Sequence, residues 1–160
     1  MDDRIFITLG SQKFQFNRLL KAIDKLCENK GINSEIFAQI GYSDYKPINY
    51  NYKEFLDHDE FVREMDKADI VITHGGTGAI IGAVKKGKKV IAVPRLAKYG
   101  EHVDDHQLQL IEQFKELNLI YACEDMDLQK ALKIVRNTVY KTYESNTQKI
   151  IDSLEEFINE

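Results

Sequence analysis

The amino-acid sequence predicts an α/β fold of the doubly wound type, in which helices cover both faces of a parallel β-sheet. Short apolar segments alternate along the chain with segments whose apolar residues recur at helical spacing. The short segments are apolar throughout, as expected of strands that are buried on both faces of a parallel sheet. The chain has 160 residues, of which 43% are hydrophobic, so we expect one domain over residues 1–160.

The first half of the chain is predicted to hold two strands and two helices. Apolar residues from Phe16 to Cys27 share one face of the first helix, and Gly31 follows as a helix-stop signal. Asp57 is a candidate N-cap for the second helix. In chain order, we predict a strand at residues 5–9, a helix at 16–27, a strand at 35–40, a loop or weak strand at 42–52 and a helix at 59–67.

The second half repeats the alternation more clearly. In chain order, we predict a strand at residues 68–73, a helix at 79–86 that stops at Gly87, a strand at 89–93, a helix at 103–117 and a strand at 119–122. From Leu128 onward, apolar residues trace one long or broken helical stripe, which comprises Leu132, Val135, Val139, Tyr143, Ile150, Leu154 and Ile158.

Composition and charge exclude several classes of function. The 22 basic and 26 acidic residues give a net charge of −4, which argues against sequence-independent nucleic-acid binding. Cys27 and Cys123 have neither metal-ligand spacing nor the density of a disulfide scaffold, so we expect free thiols in the cytoplasm. Two acids precede the first apolar run, unlike a secretory signal, and no apolar stretch approaches the roughly 20 residues that span a bilayer.

Three loops at the carboxyl ends of predicted strands are candidates for a site, because ligands of doubly wound folds bind there. They are Gly10-Ser11, His74 to Gly78, and Pro94 to Gln107. The sequence HGGTG in the second loop leads from a strand into a helix, whose N-terminus offers N–H donors and partial positive charge to a phosphate. The alternative is a glycine turn that binds no ligand. The spacing fits neither a dinucleotide fingerprint nor a P-loop.

The third loop crowds polar groups at the start of a predicted helix. They are Glu101, His102, Asp104, Asp105, His106 and Gln107. A metal site is one alternative because His102 and His106 are four residues apart, but Val103 replaces the glutamate of H-E-x-x-H and no third ligand is evident. Helix capping by the acids is a second alternative. We favour recognition of a polar ligand without a metal.

Residues 68–110, ADIVITHGGTGAIIGAVKKGKKVIAVPRLAKYGEHVDDHQLQL, and the opening IFITLGSQKFQFNRLL together resemble a known family. They are similar to the nucleotide-sugar-binding half of family 28 glycosyltransferases, in particular to short PssE-like exopolysaccharide proteins. Those proteins are related to the cytosolic subunit of the eukaryotic enzyme that adds the second GlcNAc to dolichol-pyrophosphate-GlcNAc. The resemblance implies a Rossmann-like domain, the C-terminal half of a GT-B fold, that binds a UDP-sugar without an obligatory metal.

The resemblance also implies roles for individual residues. The donor-binding set is Gly10, Ser11, His74, Gly75, Gly76, Thr77, Gly78, Pro94, Arg95, Asp105 and Gln107. Within it, Gly10 and Ser11 would line the nucleotide cleft, and residues 74–78 would cradle the diphosphate. Glu101, His102 and His106 are the candidates for the catalytic base, and a residue of a partner protein is the alternative. Many relatives carry a ribose-binding glutamate where this sequence has Gly82.

The function implied is inverting transfer of a hexose from a UDP-sugar to a lipid-linked acceptor in polysaccharide biosynthesis, such as that of an exopolysaccharide or capsule. In short family members the acceptor-binding half and the membrane anchor belong to another protein. We therefore expect a cytoplasmic heteromer that its partner recruits to the inner face of the membrane. The alternative is a non-catalytic subunit that stabilises or activates the partner transferase, and Gly82 favours it slightly.

Overall fold

The computed structural model describes residues 3–144 together with residues 149 and 152. Its parallel sheet comprises β1 (Arg4–Thr8), β2 (Glu35–Gln39), β3 (Asn51–Lys53), β4 (Ile70–His74), β5 (Lys89–Val93) and β6 (Tyr121–Ala122). The helices are α1 (Asn17–Glu28), α2 (His58–Lys67), α3 (Thr77–Lys85), α4 (His106–Glu116) and α5 (Leu128–Arg136). The strand order β3-β2-β1-β4-β5-β6 reverses direction between β1 and β4, which confirms the doubly wound fold.

The core consists of two apolar layers, one on each face of the sheet. On one face α1 and α5 pack against alternate residues of the strands, among them Ile5 and Ile7 of β1. On the other face α2, α3 and α4 pack against residues such as Phe6 of β1 and Val71 of β4. The central strands β1, β4 and β5 are mostly apolar because both of their faces are buried in this way.

Two predicted helix ends are confirmed at the level of single hydrogen bonds and torsion angles. Asp57 caps α2 by accepting a hydrogen bond from Glu60 N, and the Glu60 side chain accepts one from Asp57 N, which completes a capping box. Gly87 follows α3 with a φ of +73°, a left-handed conformation that favours glycine.

In the part of the chain that the structure describes, no helix is long and apolar enough to cross a membrane.

The predicted helix over residues 103–117 is wrong at its start, since α4 begins at His106 and Val103 is 75% exposed. Local side-chain bonds explain the difference. Asp104 Oδ1 accepts from His106 N at 2.9 Å, and Asp104 N donates to His102 Nδ1 at 3.4 Å. Such bonds offer the backbone an alternative to the helix. His102 therefore precedes the helix, so the two histidines do not share a helix face.

The predicted C-terminal stripe holds only in its first part. The helix α5 ends at Arg136, where Asn137 Nδ2 and Thr138 Oγ1 donate to carbonyl groups of its last turn. Residues 137–144 are not helical, and Val139 is exposed. The remaining residues of the stripe, Ile150, Leu154 and Ile158, lie outside the described residues. The segment 42–52 is a loop whose last residues begin the short strand β3.

Asp24, a buried acid on α1, holds the loop before β3 against that helix. Its carboxylate accepts hydrogen bonds from the Tyr45 hydroxyl at 2.5 Å and from the backbone N–H groups of Ile48 and Asn49, each at 2.8 Å. Burial works to raise the pKa of this carboxyl, but these three hydrogen bonds and a fourth from Asn49 Nδ2 at 2.9 Å outweigh it and hold the pKa below its ordinary value of 3.8.

We expect Asp24 to stabilise the protein in a pH-dependent manner. A carboxyl whose pKa is lower in the folded state stabilises above the pKa of the unfolded chain, and this contribution is lost as the pH falls through the folded-state pKa. Asp24→Asn should therefore lower the free energy of unfolding at pH 6, and the difference from the wild type should shrink below about pH 4. Urea unfolding at pH 6, 4 and 3 measures it, with the exposed Asp44→Asn as control. A difference that is equal at pH 6 and pH 3 would contradict the expectation.

Candidate functional site

The carboxyl ends of β1, β4 and β5 bring the three predicted loops together. His74 is the last residue of β4, Gly75 forms the turn, and Gly76 is the N-cap of α3. Gly10 lies beside His74, because a Cβ atom at Gly10 would stand 2.8 Å from His74 Nε2. The turn after β4 and the loop after β1 therefore pack against each other at the point where the strand order reverses.

Gln107 at the start of α4 joins the turn after β4 to the loop after β5. Its Oε1 atom accepts hydrogen bonds from Gly75 N at 3.0 Å and from Arg95 N at 3.1 Å. Its Nε2 atom lies 3.2 Å from His74 Nδ1. Because both bonds to Oε1 come from N–H donors, the amide Nε2 must donate to His74 Nδ1, and the proton of the imidazole then resides on Nε2.

His74 is buried and electrically neutral. Burial, assisted by the nearby positive charge of Arg95, lowers the pKa of its imidazole to about 3. The ring and the Gln107 side chain that holds it are also the reason for two of the nearby glycines. A Cβ atom at Gly76 would stand 2.9 Å from His74 Nε2 and closer still to Cε1, and one at Gly75 would stand 2.6 Å from the Cβ atom of Gln107. The glycines allow the histidine and the glutamine to pack against the turn.

Arg95 follows β5 and has the largest fully buried side chain of the described residues. Its Nη1 atom donates to the carbonyl groups of Phe14 at 3.0 Å and Gln15 at 3.3 Å, and its Nη2 atom donates to that of Leu9 at 2.6 Å. A fourth, longer bond of 3.4 Å reaches the carbonyl of Glu101. The guanidinium thus connects the loop after β1 to the loop after β5. Only 1% of the surface of Arg95 is exposed.

The predicted base candidates occupy different environments. The Glu101 carboxylate is buried, binds Arg18 through two hydrogen bonds of 2.9 Å and accepts from Leu96 N at 3.0 Å. His102 packs against Phe14, with ring centroids 5.5 Å apart, and its Nδ1 atom lies 3.2 Å from Asp104 Oδ1. His106 is the half-buried first residue of α4.

The remaining residues of the predicted set lie on the same edge of the sheet. Thr77 and Gly78 form the first turn of α3, and Ser11 is exposed in the loop after β1. The Pro94 carbonyl accepts from Arg18 Nη2 at 3.2 Å, and Asp105 Oδ1 accepts from Ala97 N at 2.9 Å. No group of three or more potential ligands among residues 3–144, 149 and 152 is arranged to hold a metal ion.

A cleft of about 460 Å³ opens beside this network. Its walls come from the loop after β1, the first turn of α3 and the segment that leads into α2, and they comprise Thr8, Gly10, Ser11, Gln39, Phe55, Leu56, Asp57, His58, Phe61, Gly78 and Ala79. A groove of about 80 Å³ between α2 and α3 shares Phe61, Gly78 and Ala79 with it and extends to Gly82. Apart from its chain neighbours and the backbone of α3 itself, no atom of the described residues lies within 4 Å of a Cβ atom built at Gly78 or Gly82.

Another cleft, of about 480 Å³, lies at the amino ends of β2 and β3. Two of its polar side chains are already engaged, since Ser34 binds Asp3 and Asn49 binds Asp24. The predicted loops lie at the carboxyl ends of the strands, so this cleft is remote from them.

Comparison with known proteins identifies the family. The model of the glycosyltransferase family 28 C-terminal domain matches residues 4–160. The chain belongs to this family. Among relatives, the UDP-N-acetylglucosamine transferase subunit ALG13 of Homo sapiens is 31% identical over 126 residues, which cover 73% of this chain and 11% of that protein. The ALG13 subunit of Yarrowia lipolytica is 29% identical over 107 residues, which cover 62% of this chain and 53% of that protein.

Solved structures agree with the fold of this family 28 domain. An NMR structure of ALG13 has a TM-score of 0.64 at 17% identity, with 100% of this chain and 98% of that chain covered. A glycotransferase of kitacinnamycin also has a TM-score of 0.64, at 16% identity, and the match covers 98% of this chain but 39% of that chain. The family 28 domain thus spans about half of the Yarrowia relative and about two fifths of this larger transferase.

Sequence reasoning missed one wall of the cleft in this family 28 domain. Phe55, Leu56, His58 and Phe61 follow the short strand β3, which the sequence marked only as a loop or weak strand. Had β3 been recognised as a parallel strand, the rule that ligands bind beyond the carboxyl ends would have pointed to this segment.

Proposed function

We propose that the chain is the UDP-sugar-binding subunit of a two-component inverting glycosyltransferase that acts on a lipid-linked acceptor. One observation carries the proposal, namely that a cleft of about 460 Å³ at the carboxyl edge of the sheet adjoins the first turn of α3. An aromatic and aliphatic wall beside a helix N-terminus suits a ligand that has a flat ring at one end and phosphates at the other.

The two parts of such a nucleotide have different requirements. Phe55, Leu56 and Phe61 offer apolar surface to the uracil ring. The first turn of α3 offers backbone N–H groups that have no partner within the helix, and the helix dipole adds partial positive charge there. These groups would hold the diphosphate and would also stabilise the negative charge that develops on it as it departs.

The chemical step requires a base near the acceptor. In an inverting transfer, an acceptor hydroxyl attacks the anomeric carbon, the bond to the diphosphate oxygen breaks with its electron pair, and a base takes the hydroxyl proton. Glu101 is buried and bonded to Arg18, whereas His102 and His106 are partly accessible. We therefore favour one of these histidines, or a residue of the partner, as the base.

A partner subunit is part of the proposal. Relatives that resemble this chain carry the name of a transferase subunit, and the chain spans only part of their length and of larger transferases. The acceptor-binding half and the membrane anchor would belong to the partner, which would recruit this subunit to the inner face of the membrane. Transfer of a hexose, GlcNAc included, into a polysaccharide such as an exopolysaccharide or capsule fits this arrangement.

Gly82 favours a second candidate, a non-catalytic subunit that stabilises or activates a partner transferase. Among the described residues, those that line the open groove beside Gly82 include no carboxylate that could accept hydrogen bonds from ribose hydroxyls. If the partner supplied all contacts to the donor, the same fold would serve as a scaffold.

A titration with UDP discriminates between the two candidates. The donor subunit should bind UDP when it is purified alone, and it should prefer UDP over CDP and ADP, as isothermal titration calorimetry can measure. The accessory subunit should bind no UDP, either alone or in complex with a membrane-anchored transferase encoded beside it. Transfer assays on the complex with several labelled UDP-sugars would then identify the donor.

A further inference from the structure

The two buried charges at the carboxyl edge of the sheet are not paired with each other. Among the described residues, the ionisable side chains that carry charge and are buried there are the guanidinium of Arg95 and the carboxylate of Glu101. Half-buried Arg18 binds that carboxylate through two hydrogen bonds of 2.9 Å. The Arg95 side chain bonds only to the backbone carbonyl of Glu101 and not to its carboxylate, so the described residues give the Arg95 guanidinium no ion pair. His74 beside them is neutral.

The guanidinium of Arg95 is the buried charge without an ion pair among the described residues. All of the hydrogen bonds of this guanidinium go to backbone carbonyl groups, those of Leu9, Phe14, Gln15 and Glu101. Its Nε atom is buried and has no hydrogen-bond partner among the described residues. Burial lowers the pKa of the guanidinium to about 10, so it remains charged at neutral pH. A buried charge of this kind is costly unless an opposite charge approaches it.

The location of Arg95 connects that charge to the site. Its backbone N–H is bonded to the same Gln107 oxygen that holds the glycine turn, and its guanidinium holds three carbonyl groups of the segment 9–15. Its positive charge also contributes to the low pKa of His74 at the end of β4. The field of Arg95 therefore reaches the turn where α3 begins.

We propose that Arg95 is a positioning residue for the diphosphate of the donor, which it attracts through its buried charge while it fixes the two loops that flank the glycine turn. This inference rests on the proposed function and deepens it. The guanidinium stays in its place below the surface and acts through the loops and through its electric field. Charge that is preorganised in a site of low dielectric constant is more effective than the same charge in water.

Two variants with opposite expected effects test the proposal, with UDP and uridine as the ligands in NMR-monitored titrations. Arg95→Met removes the charge and should weaken UDP binding by about tenfold or more, while uridine binding changes by less than about twofold. Glu101→Gln keeps the shape of the side chain but removes the competing negative charge, so it should strengthen UDP binding by about threefold. Misfolding cannot mimic this gain.

Arg136→Met is the matched control, because Arg136 is a half-buried arginine that binds Asp3 near the amino ends of the strands. It should lower stability and leave UDP binding unchanged.

The outcomes separate the two proposals. Wild-type protein that binds no UDP would contradict the proposed function and this inference together. If the wild type binds UDP, equal losses for UDP and uridine in Arg95→Met, or weaker UDP binding in Glu101→Gln, would show a merely structural role and overturn the inference alone. Should Arg95→Met fail to fold, Glu101→Gln decides the outcome.

Discussion

Replacement of Gln107 with leucine is expected to destabilise the protein by about 4 kcal/mol and to abolish UDP binding. Leucine keeps the volume but removes the oxygen that accepts from Gly75 N and Arg95 N, so two buried N–H donors lose their partner. Each unsatisfied buried group costs about 1–3 kcal/mol. His74 also loses the amide that orients its ring. Urea unfolding and a UDP titration of the variant measure the two effects.

Gln109→Leu is the matched control, since Gln109 lies on the same helix but is exposed. A surface substitution of this kind should change the free energy of unfolding by less than about 0.5 kcal/mol. If Gln107→Leu were as mild as Gln109→Leu, the hydrogen bonds described for Gln107 would not hold the turn together.

Substitution of Gly76 is expected to be the most damaging change in the glycine turn. In Gly76→Ala the new methyl group would overlap the imidazole of His74, which Gln107 holds in place, so the turn or the ring must move. Overpacking of this kind costs about 1–3 kcal/mol. The displaced turn should also lose UDP binding. Gly76→Asp should be worse, because it adds negative charge where the diphosphate is proposed to lie.

Gly82→Ala provides the comparison on the same helix. No atom lies within 4 Å of a Cβ atom at Gly82, and alanine is favoured over glycine in a helix interior by about 1 kcal/mol. Melting temperatures should therefore move in opposite directions in the two variants. A stable Gly76→Ala protein with unchanged UDP affinity would show that the His74 ring can move to make room for a methyl group. It would contradict the explanation that this position must be glycine because of the ring.

The central strands and the loops that follow them were predictable, because a strand that is buried on both faces has a continuous run of apolar residues in the sequence. The prediction for β5 agrees with the structure at both ends, and the strand β4 differs by only one or two residues. The start of α4 was not predictable from periodicity alone. Its position depends on hydrogen bonds from Asp104 and His102 that compete with helix formation, and apolar spacing carries no information about them.

The sequence predicted which loops form the candidate site, but it did not predict which contacts each residue makes there. Bare backbone for a ligand was the expected reason for Gly75 and Gly76, whereas the structure shows that His74 and Gln107 occupy the space beside them. Arg95 was expected among the donor-binding residues, and its guanidinium is directed at carbonyl groups inside the protein. These contacts connect residues far apart in the chain, which local patterns do not reveal.

The bonds of Arg95 also determine when the site can form during synthesis. The Leu9 carbonyl leaves the ribosome 86 residues before the arginine that holds it. At about 5–20 residues per second, translation of that interval takes roughly 4–17 s. Throughout this time the loop after β1 exists without its internal support. The loop after β1 can therefore reach its final arrangement only after β5 has emerged and Arg95 has been made.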